Sequence, residues 1–491
     1  MFAFAASATA PYLNPVAPAV SFASILTVGE AADNGYRMVG IPDGLGAYDS
    51  DDGTITVLMN HELGNGVGVP RAHNPGVATG GAFVSEWVIN KDTLQVVSGR
   101  DLIQTVYGWD TTTQASSAAP LANVVFNRFC SADLPLRGAF YNNKSRLGSK
   151  ARIFMNGEEG GANGYAMAHV ASGADKGKSY ILGDFNLQTN GSGINAVGGW
   201  ENLLANPNSG DKTVVIGTND GGTGIMNNSI AVYVGTKTGS GSEVDKAGLT
   251  NGSIKFVNVD GIVNEIANSA TRATGITSGT SFTLSAASST TFSRPEDGAW
   301  ADAKTFYFVT TDQIDKTELT GGTQVGATRL WKLNFNDDYT GGTIDLVVDA
   351  TSVPGGINNA RPNMFDNMTV NADGTLTLLE DAGNNDHNGK IWQYAPIDGS
   401  LTLQAKFDPA LFGDVVDGTF TAGTITKDEE TSGVIDVTRL LDRHDDHRYS
   451  LLVVQNHKTS ADAELVEGGQ LLLMSRPEFE IEDEDEDEHK K

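Results

Sequence analysis

The chain has 491 residues, 39% of them hydrophobic, with 58 glycines and a formal net charge of -28. That length suits one large all-β domain or two to three ordinary ones, and no apolar stretch approaches the ~18–20 residues of a spanning helix, which excludes a helical membrane span. The acidic balance excludes nucleic-acid binding, which needs clustered Lys and Arg, and fits solubility, salty surroundings or calcium binding.

Met1 to Pro11 is apolar, small and uncharged, like the end of a signal peptide whose basic first part is missing, and predicts export. Residues 1–34 read as an extended leading segment, Pro-rich between Pro15 and Leu26, residues 35–476 as a single domain and residues 477–491 as an acidic, solvated tail. Cys130 is the sole cysteine, so no intrachain disulfide forms. From Gly35 onward, apolar strands alternate with Gly, Asn and Asp turns such as Asp51-Asp52-Gly53 and Asp398-Gly399.

Six apolar runs end in a polar tip. They close on His61-Glu62, Glu158-Glu159, Asn219-Asp220, Asp312, Glu380-Asp381 and Asn456-His457. A second repeated element, an aromatic or branched strand followed by a turn, recurs around Trp87, Trp331 and Trp392. Together they predict an all-β, six-bladed β-propeller with loop insertions; a two-sheet β-sandwich is the rival architecture. The tips lie unevenly, roughly 60 to 100 residues apart against ~40–50 for a compact blade, so insertions are expected. Asp110–Pro120 and the Ser/Thr-rich stretch Ser269–Ser293 are the candidates.

The tips supply hard oxygen ligands of the kind calcium takes. Glu62, Glu158, Glu159, Asp220, Asp312, Glu380 and Asp381, brought to one mouth, would repel one another unless cations sat between them. His61 and His457, in the first and last tips, are either nitrogen ligands or core histidines bonded to backbone. In Arg294-Pro295-Glu296 the proline fixes the backbone between a cation and a carboxylate; the guanidinium suits phosphate and the carboxylate a metal, or the two form a structural pair. No Gly-x-Ser-x-Gly elbow, His-Glu-x-x-His helix or P-loop occurs.

In this order, Arg128-Phe129-Cys130-Ser131, Asn156-Gly157-Glu158-Glu159, Arg294-Pro295-Glu296, Phe365-Asp366-Asn367 and Leu379-Glu380-Asp381 resemble the PhoX-type alkaline phosphatases. The C-terminal Gln455-Asn456-His457 and Glu467-Gly468-Gly469-Gln470 extend the likeness, which runs roughly from Asn60 to Met474. The resemblance implies an exported six-bladed propeller hydrolysing phosphate esters with iron and calcium at the channel mouth. It makes Cys130 a thiolate ligand to iron, Glu296 a second iron ligand and Arg294 the phosphate-binding group. Glu158, Glu159, Asp366, Glu380 and Asp381 become calcium or iron ligands, joined by Glu62 and His61 from the tips. Three departures stand out: Ser131-Ala132-Asp133-Leu134-Pro135 follows Cys130 where the family has Gly-Gly and then Thr-Pro-Trp-Gly, Gly157 stands where it has Cys, and Ala168 or His169 where it has Glu. The alternative reading is a catalytically inactive, calcium-stabilised propeller of the cell surface or extracellular matrix, where self-association is an option.

Overall fold

The computed structural model describes residues 7–159, 164–185, 199–221, 224–268, 271–311, 328–353, 361–381, 383–417 and 419–479. The Asp312 tip, Ser269 and residues 480–491 of the acidic tail lie outside them. The described chain is nearly all-β. Its first sheet runs Pro42–Asp49, Thr54–His61, Phe83–Asn90 and Val96–Asp101 in simple antiparallel order. The second orders Ala132–Asp133, Ile153–Gly157, Ala166–Val170 and Lys178–Ile181, with Thr105–Tyr107 on its outer edge.

The third is a nine-stranded sheet of two meanders. Trp200–Ala205 to Ser253–Val259 form one and Pro295–Trp300 to Gly341–Asp349 the other, and Thr280–Ser285 pairs with the outer strand of both. That joining strand lies in the Ser/Thr-rich stretch read as an insertion. Phe365–Val370, Leu376–Glu380, Lys390–Ala395 and Ser400–Phe407 follow, edged by Leu13–Pro15. The last sheet joins Glu429–Asp436, His447–Asn456 and Gly468–Pro477 to Ser21–Thr27, so the leading segment supplies two sheet edges.

The tip strands read as unbroken apolar runs because both faces of each sheet are covered, which removes the polar half of the usual alternation. Successive side chains point to opposite faces, and neighbours in sequence therefore serve different core layers. Leu58 packs toward Phe154 and Met167, whereas Val57 and Met59 pack with Leu451 and Leu471. Val215 joins Met155 and Tyr233, and Ile216 joins Phe308 and Trp331. Val309 meets Leu378 and Trp392, and Leu379 meets Leu452 and Leu472. Each apolar layer fills the space between one meander and the next, at roughly 1.5–3 kcal/mol per fully buried side chain.

The first strands of these meanders also touch in turn. Pro42–Asp49 contacts Ala132–Asp133, which contacts Trp200–Ala205; then come Pro295–Trp300, Phe365–Val370 and Glu429–Asp436, which returns to Pro42–Asp49. The ring closes only because small residues sit where backbones meet. A Cβ on Gly157 would lie 2.3 Å from Trp200, and one on Gly433 2.6 Å from the Asp43 carbonyl. Gly157, where the resembled family has Cys, is thus required by the packing of Trp200.

Candidate metal centre

At one rim of this ring a three-residue corner recurs. A residue with left-handed backbone is followed by a buried Pro or aromatic and then by an acid or thiol. The corners are Ile41-Pro42-Asp43, Arg128-Phe129-Cys130, Gly199-Trp200-Glu201, Arg294-Pro295-Glu296 and Met364-Phe365-Asp366, with first-residue φ of 51°, 47°, 80°, 52° and 54°. In four of the strands that follow or contain these corners the pairing register slips, between Pro42 and Leu45, Trp200 and Asn202, Pro295 and Gly298, and Phe365 and Met368. Such bulges re-aim a side chain out of the sheet. Four non-glycine residues in the left-handed region each cost of the order of 1–3 kcal/mol, a strain that concentrates at functional sites.

The corners are stitched to the tips. The carbonyls of Ile41, Arg128, Arg294 and Met364 accept the amides of Glu62 (2.9 Å), Glu159 (3.0 Å), Thr311 (3.0 Å) and Asp381 (3.1 Å). Antiparallel pairing explains this, because the start of a first strand lies beside the end of the second. Glu62, Glu159 and Asp381 therefore arrive next to a corner donor. Asp43, Glu201 and their repeat were missed in the sequence; Glu296 was singled out in Arg294-Pro295-Glu296, and Cys130 and Asp366 were named only through the family likeness. The signal available was Pro or an aromatic before an acid and then Gly, Asn or Asp.

The side chains converge. Donor atoms of Asp43, Glu62 and Cys130 lie within 4.8 Å of one another, as do those of Cys130, Glu159 and Glu201, and those of Glu201, Glu296 and Asp366. Cys130 and Glu201 are shared, so the three groups form one continuous centre. Cys130 Sγ lies 3.2 Å from Glu159 Oε2, and Glu201 Oε1 accepts from the Ser131 amide and hydroxyl at 3.1 and 2.6 Å. Two arginines flank the carboxylates. Arg128 Nη2 reaches Glu62 (2.5 Å) and Glu159 (2.8 Å), while Arg294 contacts Asp220 through Nε and Nη2 (2.8 Å) and Glu296 (3.0 Å).

Burial, and then the neighbouring carboxylates, push the pKa values of Asp43, Glu296 and Asp366 well above the ordinary range. Burial also raises Glu201, against its bonds to Ser131. Glu159 is raised to about 8 by burial, against the pull of Arg128. The Cys130 thiol is pushed up by burial and by Glu62, Glu201 and Glu159. Asp43 Oδ1 is buried without a hydrogen bond, and Glu296 Oε1 has only its ion-pair contact. Buried carboxylates that repel one another, with orphaned oxygens and an adjacent thiol, have the donor chemistry of a cation site accepting hard oxygen and soft sulfur.

The other expected ligands stand elsewhere. His61 donates Nδ1–H to the Gly40 carbonyl, places Nε2 2.8 Å from Ser85 and stacks on Phe83; burial lowers its pKa to about 3. Both ring nitrogens are engaged, leaving none for a metal. Glu158 accepts the Asn127 and Tyr165 amides and clamps two loops. Glu380, fully buried, accepts from Asn363, His387, Lys390 and Trp392. The backbone of Asp381 pairs antiparallel with that of Glu430, whose carboxyl burial and the Asp381 charge raise well above its usual pKa. His457 pairs with Glu467 at 2.7 Å. His169 sits between Asn156 and Ser179, behind an Asn156–Asn60 contact that ends on the Cys130 carbonyl. It braces the thiol's backbone rather than joining the centre.

No family model matches the chain, and no curated protein matches it by sequence. Among solved structures it is similar to Pseudomonas fluorescens PhoX in complex with vanadate, a transition-state analogue, with TM-score 0.57 and 11% identity over 94% of this chain and 97% of that one. It is less similar to an alpha-L-arabinofuranosidase from Fusarium graminearum with an iminosugar inhibitor, with TM-score 0.39 and 9% identity over 93% and 98% of the two chains. The first likeness is a distant structural relationship and establishes a propeller-like fold.

Proposed function

We infer that the chain is an exported, metal-dependent phosphoric ester hydrolase built on a six-bladed propeller, with iron and calcium at the rim. The observation that carries the reading is the convergence of Cys130 with carboxylates from separate sheets, between two arginines. The closed ring of first strands and its intervening apolar layers support the blade count. The Cys130, Glu159 and Glu201 group, like that of Asp43, Glu62 and Cys130, has the mixed sulfur and oxygen character that suits iron; the Glu201, Glu296 and Asp366 group is all-oxygen, as calcium prefers. Bound there, the ions would neutralise phosphate and lower the pKa of a nucleophilic oxygen.

The chain's own residues do the remaining work. Arg294, aimed by Asp220 and by its left-handed corner, offers planar N–H donors that match two phosphate oxygens. Arg128, half exposed on the other flank, presents a second cation. Their carboxylate partners hold both guanidiniums in place before substrate arrives, which reduces the ordering cost of binding. Those same ion pairs favour a second reading, in which both arginines are structural and the propeller binds calcium without catalysis.

Elemental analysis of the purified protein, with hydrolysis of p-nitrophenyl phosphate and bis(p-nitrophenyl) phosphate, separates the two. The enzymatic reading expects iron and calcium, turnover of at least one ester, and loss of iron on Cys130→Ser. Calcium without iron and without turnover sinks it and leaves the structural reading.

A further inference from the structure

A second charged feature lies at the other end of the same strands. Arg137, Tyr141, Arg146, Lys150, Glu243 and Lys246 line an open cleft of about 730 Å3 between the outer loops of the second sheet and the third. Ile153–Gly157 runs from the cleft side to the metal centre, so Ala151 and Gly157 are roughly 20 Å apart at ~3.3 Å per residue.

In a chain of net charge -28, a wall of four cations is unexpected. Glu243 is the one lining carboxylate, and it is already held by Lys246 at 2.8 Å and by the Ser149 hydroxyl. Among the described residues Arg137, Arg146 and Lys150 make no ion pair. Arg137 donates to the Lys150 carbonyl and Lys150 lies over the Tyr141 ring, 5.1 Å from its centre, which gathers the cations on one wall. Just behind them, Arg152 is lowered to about 10 by burial and then by the charge of Arg137, and its Nε is buried without a partner. Four cations thus line the cleft against the single lining carboxylate of Glu243.

We propose that this cleft binds a small polyanion carrying two or more phosphate or sulfate groups, at a site separate from the metal centre. Inorganic phosphate alone would not span the cations, whereas a multiply charged ligand of several hundred Å3 fills the cleft and meets three guanidinium or ammonium groups at once. The ring of Tyr141 adds an apolar face suited to a sugar or other organic scaffold.

Isothermal titration with tripolyphosphate and with a trisulfated heparin disaccharide, at low and physiological salt, tests it. The wild type is expected to bind at least one, more weakly as salt rises. Arg146→Glu/Lys150→Glu, on exposed side chains, is expected to weaken binding tenfold or more at unchanged melting temperature, while Arg294→Ala leaves it intact. Arg137→Glu, on a different segment, repeats the measurement should the double variant misfold. Binding of tripolyphosphate alone identifies a phosphate ligand, and of the disaccharide alone a sulfated sugar. No binding of either probe, equal affinity in wild type and charge-reversal variants, or loss confined to Arg294→Ala overturns the proposal.

Discussion

Glu380 shows how one carboxylate in a polar tip differs from its neighbour. Burial works against its charge, yet Lys390, His387 and the Asn363 amide outweigh it and hold its pKa below the usual range. With four donors around it, the group is a structural anion. Glu380→Ala strands Lys390 in a site only 2% exposed, and a loss of about 3–5 kcal/mol is expected in urea unfolding, with the metal content of the folded fraction unchanged. A proportionate loss of metal would instead restore Glu380 to the centre. Glu201 is the reverse case. Its three-residue corner contains no motif, yet it links two of the three donor groups. Glu201→Gln is expected to remove metal with little loss of folded protein, because relieving carboxylate repulsion offsets the lost ligand; elemental analysis beside a melting curve reads both.

At the scale of the element, much was legible and one thing was hidden. The apolar tip strands and the Trp-bearing third strands could be read because burial on both faces writes itself into composition. The corners could not, since their first residue is Ile, Arg, Gly, Arg or Met and what unites them is φ rather than side chain. The family likeness named Cys130 and Asp366 but offered no counterpart for Glu201, which lies two strands beyond the Ala168–His169 position considered for it. Glu158 and Glu380 were indistinguishable by pattern from Glu159 and Asp381, because which of two adjacent tip residues turns inward depends on the end of the strand register. Close approach at the ring is equally specific. Gly157→Ala puts a methyl 2.3 Å from Trp200, and a destabilisation of about 1–3 kcal/mol by denaturant titration is expected. The buried pair of Asp373 and Arg476 ties a turn of the fifth meander to the last strand at 2.8 and 3.1 Å. Burial opposes the charge of Asp373, but Arg476 wins and lowers its pKa to about 2. A depressed carboxylate contributes stability above its unfolded pKa and loses it as pH falls through the folded one. That contribution is expected to persist to about pH 4 and to vanish toward pH 2, and Asp373→Asn, measured against wild type across that window, should abolish the difference.

For the whole molecule, closure depends on parts far apart in the chain. Ser21–Thr27 pairs with Gly468–Pro477, so removing residues 1–28 would uncover a long hydrophobic strand edge. Loss of cooperative melting and concentration-dependent aggregation are expected; a truncated protein that melts like the full chain would refute this. Cations at the rim would likewise hold sheets together, and a chelator should lower the melting temperature by several degrees through linkage. The recurring corner carries a different consequence. Its left-handed first residue sets the backbone and its third supplies the donor atom, with Arg128 and Arg294 also reaching the carboxylates from the first position, so conformation and donor identity are separable. A thiol occupies one such socket where its counterparts hold carboxylates. Single replacements at that third position can therefore retune the hardness of the rim one donor at a time, with no refolding. A lineage built on this scaffold can drift between metals, or abandon them, while its architecture stays fixed.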